Sequence, residues 1–217
     1  MRTLILLGGG GHAAVVCECA RAAGWTVAGF LDDSTPEPHL NTAVGLKHLG
    51  AINELLIAPR AEHQPSIHAA VGDAALRRKW LDLAEGRPAP PIVHPSAVVS
   101  PSAELGEGVF IGPRAVVNAR ARLGRGVIVN TGAIVEHDCR IGDFTHLAPG
   151  SVLAGTVTVG EATLIGAGAS IIPGITIGSR SIIGAGAVVI RNVGDDQMVV
   201  GVPGLEKSTS PQVHKSK

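Results

Sequence analysis

Between Val93 and Val189 every sixth residue is aliphatic: Val93, Val99, Leu105, Ile111, Val117, Leu123, Val129, Val135, Ile141, Leu147, Leu153, Val159, Ile165, Ile171, Ile177, Ile183 and Val189. Four residues after each anchor runs a second register, Ala97 to Val193, in which sixteen of seventeen side chains are no larger than Val. A period of six scatters the anchors around a helix of 3.6 residues per turn instead of gathering them into a stripe. It suits a parallel β-solenoid. Each hexad supplies a short strand and a bend, three hexads close a triangular coil, and each anchor stacks on the one a coil below at roughly 4.8 Å. The second register must be small because it faces the interior near a corner. Gly follows the anchor in eight of the 17 hexads and is expected to relieve the bends. Residues 93–194 hold 17 hexads, between five and six coils.

The first ninety residues follow another pattern. Thr3-Leu4-Ile5-Leu6-Leu7 reads as a buried strand, followed by Gly8-Gly9-Gly10-Gly11-His12 and a helix from about Ala13 to Ala23. Trp25 to Leu31 reads as a second strand, closed by Asp32 and Asp33. Strand, Gly loop, helix, strand and acid form the skeleton of a nucleotide-binding βαβ half. The glycines would bring backbone N–H groups to a pyrophosphate at the helix N-terminus, and the acid would accept bonds from a ribose or base. The spacing Gly8-x-Gly10-x-x-Ala13 departs from G-x-G-x-x-G, so a bare Gly-rich turn is the competing reading. Ile67 to Val71 is a further strand, Asp73 caps a helix over Ala74–Leu81, and Leu55–Ala58 is a strand or a helix end. Pro88-Ala89-Pro90-Pro91 marks a boundary. The expected division is a Rossmann-like nucleotide-binding α/β half-domain over 1–90, an all-β parallel β-helix over 91–205, and a flexible tail over 206–217.

The chain has 217 residues, 18 Lys plus Arg against 18 Asp plus Glu, and 2% aromatic residues with no Tyr. A balanced charge speaks against a nucleic-acid or acidic-membrane partner. The three cysteines Cys17, Cys19 and Cys139 lack the spacing of a zinc or redox motif and suit a reducing compartment. No apolar run reaches the ~18 residues that span a bilayer, so a soluble cytoplasmic protein is expected.

Within the solenoid, residues 135–146 read V-E-H-D-C-R-I-G-D-F-T-H. In register, Val135 and Cys139 point inward. Glu136, His137 and Asp138 occupy the outward bend between them, and His146 is outward in the next hexad. An imidazole can take a proton near pH 7, and a carboxylate on its other nitrogen fixes its tautomer. The competing readings are a surface ion pair, Cys139 as nucleophile, which its inward register opposes, and a metal site, for which no third His or Cys recurs at coil spacing. His12 is read as a contact to a diphosphate or sugar, against a local helix-start role. The other histidines (His39, His48, His63, His68, His94, His214) are read as surface or structural.

The order G-G-G-G-H (8–12), F-L-D-D (30–33), A-V-G-D-x-x-x-R-R (70–78), H-P-S-A-V-V-S-P-S-A (94–103), E-H-D-C-x-I-G-D-F-x-H (136–146) and G-V-P-G (201–204) resembles the NeuD/PglD-type sugar acyltransferases over residues 2–205. The resemblance implies a left-handed β-helix, a homotrimer with active sites between subunits, and acetyl-CoA as co-substrate with no metal. It also implies N-acetylation of the 4-amino group of a nucleotide-linked amino sugar in surface-glycan or glycoprotein biosynthesis. His137 matches the family's general base and Asp138 its acid partner. His146 matches a residue beside the acyl-CoA, and Asn130 one that approaches the thioester from the adjacent subunit. Gly155, Ala167 and Ala185 match the CoA groove. Gly10, Gly11, His12, Asp32, Asp33 and Gly72 match the nucleotide-sugar site, and Lys207 is read with the disordered tail, a contact to a CoA phosphate being its alternative. Two departures stand out: Asp138 replaces the Glu of several relatives, and Gly204 ends a motif that usually ends in Ala. The alternatives are O-acetylation of sialic acid or a similar hydroxyl, and a non-catalytic β-helix scaffold.

Overall fold

The computed structural model describes residues 2–34, 44–54 and 64–207. Leu55–Ala58, His39, His63, His214, most of the 33–66 loop, the tail from 208 and the side chain of Lys207 lie outside the described residues.

Thr3 and four apolar residues make β1 (Thr3–Leu7), with Leu4 and Leu6 facing one way into the core and Leu7 closing the strand. Helix α1 (Gly11–Ala22) follows, burying Ala13, Val16, Cys17, Cys19 and Ala20 on one side. It starts two residues earlier than expected because Gly10 and Gly11 themselves form its cap and first position, which puts His12 in the first turn. β2 (Thr26–Leu31) and β4 (Ser66–Ala69) pair in parallel with β1 on its two sides. A three-residue edge strand, β3 (His48–Gly50), which the hydropathy pattern did not indicate, pairs with β2 through a register shift. The sheet order is β3-β2-β1-β4. In such an order the connections reverse between β1 and β4, and their carboxyl-end loops open a crevice there. Those loops are Gly8–Gly11 and Ala70–Asp73. Helix α2 (Ala74–Leu83) is capped as expected, Asp73 Oδ1 accepting from Leu76 N–H at 2.8 Å.

The remainder is a three-sided parallel solenoid of seventeen two-residue strands, β5 (Ile92–Val93) through β21 (Val188–Val189), with each anchor as the second strand residue. Strands eighteen positions apart pair, as Ile128 with His146 and Ile134 with Val152, giving three faces. The hairpin β22 (Met198–Val200) and β23 (Leu205–Lys207) extends the first face. Anchors and second-register residues fill one continuous core, from Val109 and Ile111 up to Val193 and Val199. Three of the four polar members of the second register are satisfied by one device, while the hydroxyl of the fourth, Ser151, is buried with no hydrogen-bond partner. Thr145, Thr163 and Ser181, stacked one coil apart, donate their hydroxyls to the carbonyls of Gly160, Gly178 and Gly194 at 2.7–2.8 Å.

The bends differ from expectation in where backbone strain falls. The left-handed residue is the third after the anchor, at every sixth position from Gly108 to Gly186, and half of these are not Gly: Arg114, Arg120, Asp138, Phe144, Thr156, Ala162 and Arg180. The glycines directly after the anchors serve close approach instead. A Cβ on Gly142 or Gly160 would lie 2.6 or 2.4 Å from the backbone of the next coil.

The N-terminal unit is docked on the first face, where Ile92, Phe110 and Ile128 are buried with Leu4, Leu6, Val16 and Trp25. Arg77 of α2 stitches the two units. Its guanidinium donates to Val71 O (3.0 Å) and Gly72 O (2.8 Å) on one side, and to Gly126 O (2.7 Å) and Phe144 O on the other. Among the described residues no helix is long and apolar enough to cross a membrane.

Candidate active site

The bend after Val135 places His137 and Asp138 on the edge between the second and third faces. Asp138 occupies the left-handed corner at φ 61°, a conformation that Asp and Asn adopt more readily than most residues. Its carboxylate thereby folds back on its neighbour, and His137 Nδ1–H donates to Oδ2 at 2.8 Å. This fixes the tautomer with Nε2 unprotonated. Nε2 faces the next coil, where a Cβ on Gly155 would lie 2.6 Å from it. Slightly more than half of the His137 side chain is open to solvent, at 54%. Cys139 points inward, fully buried, its Sγ 3.2 Å from Ala154 O. Burial raises its pKa, which removes it as a thiolate nucleophile.

Sequence reasoning assigned no role to Arg120. It stands one coil below Asp138 and grips both carboxylate oxygens, Nε to Oδ1 at 2.7 Å and Nη2 to Oδ2 at 2.8 Å. The hydrogen bonds from Arg120, then that from His137, hold the Asp138 carboxyl far below the usual range. The signal that could have found Arg120 is the 18-residue interval.

A second group gathers on the first face and its edge with the second. Asn130 follows β11 (Ile128–Val129) and His146 opens β14 (His146–Leu147). Asn130 Oδ1 accepts from Thr131 N–H at 2.8 Å, and its Nδ2 donates to His146 Nε2 at 3.1 Å. His146 points outward from the solenoid as expected, yet the N-terminal unit half-buries it. Gly72 lies against its ring, and His12 is 6.4 Å away between ring centroids. His12 also meets the Phe110 ring edge-on at 5.4 Å, and its Nε2 is buried with no hydrogen-bond partner. Burial first, and then the Arg77 charge, lowers His12 and His146 to about 4. Burial likewise lowers His68 to about 3, so all three imidazoles are neutral at pH 7. Gly10 and Gly11 border the crevice, and a Cβ on either would meet nothing within 4 Å. Asp32 and Asp33 are engaged within the loops. Asp32 Oδ2 accepts from Gly9 N–H at 2.7 Å and its Oδ1 from Ser34, while Asp33 Oδ1 accepts from Ile52 N–H at 2.9 Å.

Residues 3–83 match the family described as PglD N-terminal domain, and 156–191 match bacterial transferase hexapeptide repeats, six of them. The acetyltransferase domain of PglB from Neisseria gonorrhoeae FA1090, in complex with acetyl coenzyme A, is 38% identical over 95% of this chain and 99% of that one, with a TM-score of 0.88. The chain belongs to the NeuD/PglD-type sugar acyltransferase family. Membership extends the likeness to PerB from Caulobacter crescentus, in complex with CoA and GDP-perosamine, 43% identical over 94% of this chain and 97% of that one (TM-score 0.83). WeeI from Acinetobacter baumannii AYE is 25% identical over 94% and 99% (TM-score 0.82). No curated protein sequence matches.

For a member of the NeuD/PglD-type family, one chain holds its candidate residues in two separate places. His137, Asp138 and Gly155 share the edge between second and third faces. Asn130, Ala167 and Ala185 lie on the edge between first and second, with His146, Gly72, His12 and the Gly loop beside it. The second face separates the two groups. Among the described residues no cluster of three His, Cys, Asp or Glu could hold a metal ion.

Proposed function

We propose that the protein transfers the acetyl group of acetyl-CoA to the 4-amino group of a nucleotide-linked amino-deoxy sugar, with His137 as general base. The His137–Asp138 pair carries this reading: one nitrogen is tied to a carboxylate and the other is free at an exposed edge. The amine nitrogen attacks the thioester carbonyl carbon and passes its proton to His137 Nε2, while Asp138 balances the imidazolium. The oxyanion accepts a hydrogen bond from the remaining N–H of the Asn130 amide. When the C–S bond breaks, the imidazolium returns the proton to the CoA sulfur, leaving amide, free CoA and neutral His137.

The split arrangement supports a homotrimer in which the His137 edge of one subunit meets the Asn130 edge of the next. The outward rungs agree with this. The third face carries Glu104, Arg122, Arg140, Thr158 and Thr176, whereas the second carries Val98, Val116, Ile134, Val152, Ser170 and Val188, apolar at all rungs but one. Above His146 the first face leaves Leu164 (36%), Ile182 (41%) and Met198 (37%) bare, an apolar wall suited to a pantetheine arm lying past Ala167 and Ala185. The nucleotide sugar takes the crevice of the 1–90 unit, below His146, with its diphosphate at Gly10, Gly11 and His12. Acyl donor and acceptor thus approach His146 from opposite sides, the donor along the 91–205 solenoid and the acceptor from the 1–90 unit.

The test is initial-rate kinetics of His137→Ala with acetyl-CoA and a panel of nucleotide-linked amino and hydroxy sugars, reading free CoA. Turnover on the amino sugar should fall by about two to four orders of magnitude, the usual weight of a positioned base, with acetyl-CoA affinity retained. Near-normal turnover would reject His137 as base, and preference for hydroxy sugars would replace N- by O-acetylation.

A further inference from the structure

Residues one coil apart stack along the edges of the solenoid, so Asp138 sits on the rung above Arg120. Both occupy the left-handed corner, at φ 61° and 59°. Their side chains lie along the same edge and meet as a two-pronged pair, with the prong on Oδ2 sharing that oxygen with His137 Nδ1. Resting on the reading of His137 as base, we propose that Arg120 is a positioning residue. By holding both oxygens of Asp138 it fixes the plane of the carboxylate, aims Oδ2 at Nδ1, and thereby presents Nε2 to the substrate amine.

The need for such a clamp follows from the geometry. Asp138 has two rotatable side-chain torsions and lies on an exposed edge. Without a second partner its carboxylate would exchange His137 for water. A planar guanidinium is the group that can fix two oxygens at once. The same fork recurs where no imidazole adjoins it, between Arg180 and Asp196 at 2.7–2.8 Å, so the solenoid builds such pairs readily. At Asp138 the fork shares an oxygen with an imidazole.

The clamp has an electrostatic consequence. A lone carboxylate would stabilise the imidazolium strongly, and Arg120 offsets part of that attraction. The other charges facing the pair are few. Glu136 Oε2 accepts from His137 N–H at 3.3 Å. Arg122, with Glu104 at 3.4 Å, and Arg140 border a small cavity of about 170 Å³ beside Asp138. The coil above presents Gly155 and Thr156, both uncharged. Removing Arg120 therefore leaves the Asp138 carboxylate facing the imidazole without a guanidinium to share its charge.

The experiment is the pH dependence of kcat/KM for wild type, Arg120→Gln, Arg120→Lys and His137→Ala, with melting temperatures alongside. Arg120→Gln should lower kcat about tenfold, leave KM for acetyl-CoA within about twofold, and move the acid limb upward by about half a pH unit or more. Arg120→Lys should return the limb close to its wild-type position but leave kcat low, because an ammonium supplies the charge without the fork. An unmoved limb with kcat near wild type in Arg120→Gln would overturn the inference. So would early melting of that variant with the limb unmoved, which would make the fork merely structural. Full activity in His137→Ala would instead remove the base itself, a separate failure.

Discussion

Gly155→Ala tests the placement of the imidazole more sharply than deletion of the imidazole does. Gly155 has no left-handed φ, so Ala meets no backbone penalty there. The position is a half-exposed bend, and the added methyl would leave the core untouched. The new Cβ would nonetheless stand 2.6 Å from His137 Nε2 and 2.7 Å from Cε1. Carbon and nitrogen in ordinary contact sit about 3.5 Å apart, so the ring must retreat by roughly 0.9 Å. Its retreat is opposed by the 2.8 Å bond from Nδ1 to Asp138, whose own carboxylate Arg120 holds. A displacement of about 1 Å at a reacting centre costs on the order of 10²-fold in rate, equivalent to about 2.7 kcal/mol of barrier. The assay is kcat at saturating acetyl-CoA and nucleotide sugar, with thermal melting as control. We expect kcat down about a hundredfold and Tm within about 2 °C of wild type. Because Gly155 is also proposed to border the CoA groove, KM for acetyl-CoA is measured in parallel. A variant with raised KM but unchanged kcat would refute the placement of Nε2 and leave only a narrowed groove.

Two further outcomes follow from buried charge. Arg77→Met removes a guanidinium that donates to four carbonyls across the junction between sheet unit and solenoid. We expect a loss of about 3–5 kcal/mol in chemical denaturation and roughly 10 °C in melting, and a loss under about 1 kcal/mol would contradict the clamp. His12, His68 and His146 are held near 4, 3 and 4 by burial, below the ~6.5 of an unfolded chain. The unfolded chain therefore binds protons that the folded one refuses. This stability is fully present above about pH 6.5 and is lost as pH falls toward 4, at up to about 4 kcal/mol per pH unit for three groups. Urea denaturation between pH 7 and 5 should show that slope, and His68→Gln should reduce it by about a third; a flat profile would mean that these imidazoles are open to protonation in the fold.

What could be read from the chain divides along the physics of each element. The six-residue beat survives into the structure at every anchor, because an inward side chain in a solenoid answers to its own coil and the two adjoining it. The strand, Gly loop, helix, strand order was legible for a similar reason: β1, α1 and β2 are contiguous and each carries its own period. β3 was not, because three residues joined through a register shift leave no pattern of their own. The Gly after each anchor was assigned to bending. Its actual constraint is the backbone of the next coil, a neighbour eighteen positions away that composition does not reveal. His137 and Asp138 were legible because both sides of their bond lie in one bend.

The outward rungs show why the rest of the site was hidden and what would have exposed it. Read every six residues, outward positions look irregular, mixing Phe, Arg, Thr and Val. Read every eighteen, they separate into three columns, two of them apolar but for a single rung each and the third polar. The column Ile92, Phe110, Ile128, His146, Leu164, Ile182 is apolar except at one rung. An apolar column on an outside face requires a cover, and the sheet unit supplies it only up to His146. That single polar rung therefore marks the point where one cover ends and another must begin. The same interval joins Arg120 to Asp138. A half-buried imidazole at the limit of the docked unit, and a carboxylate clamped from the coil below, are both consequences of the coil length rather than of the repeat. Among the described residues none fully covers the rungs at Leu164, Ile182 and Met198, and the trimer proposed above would cover them with the His137 edge of a second copy.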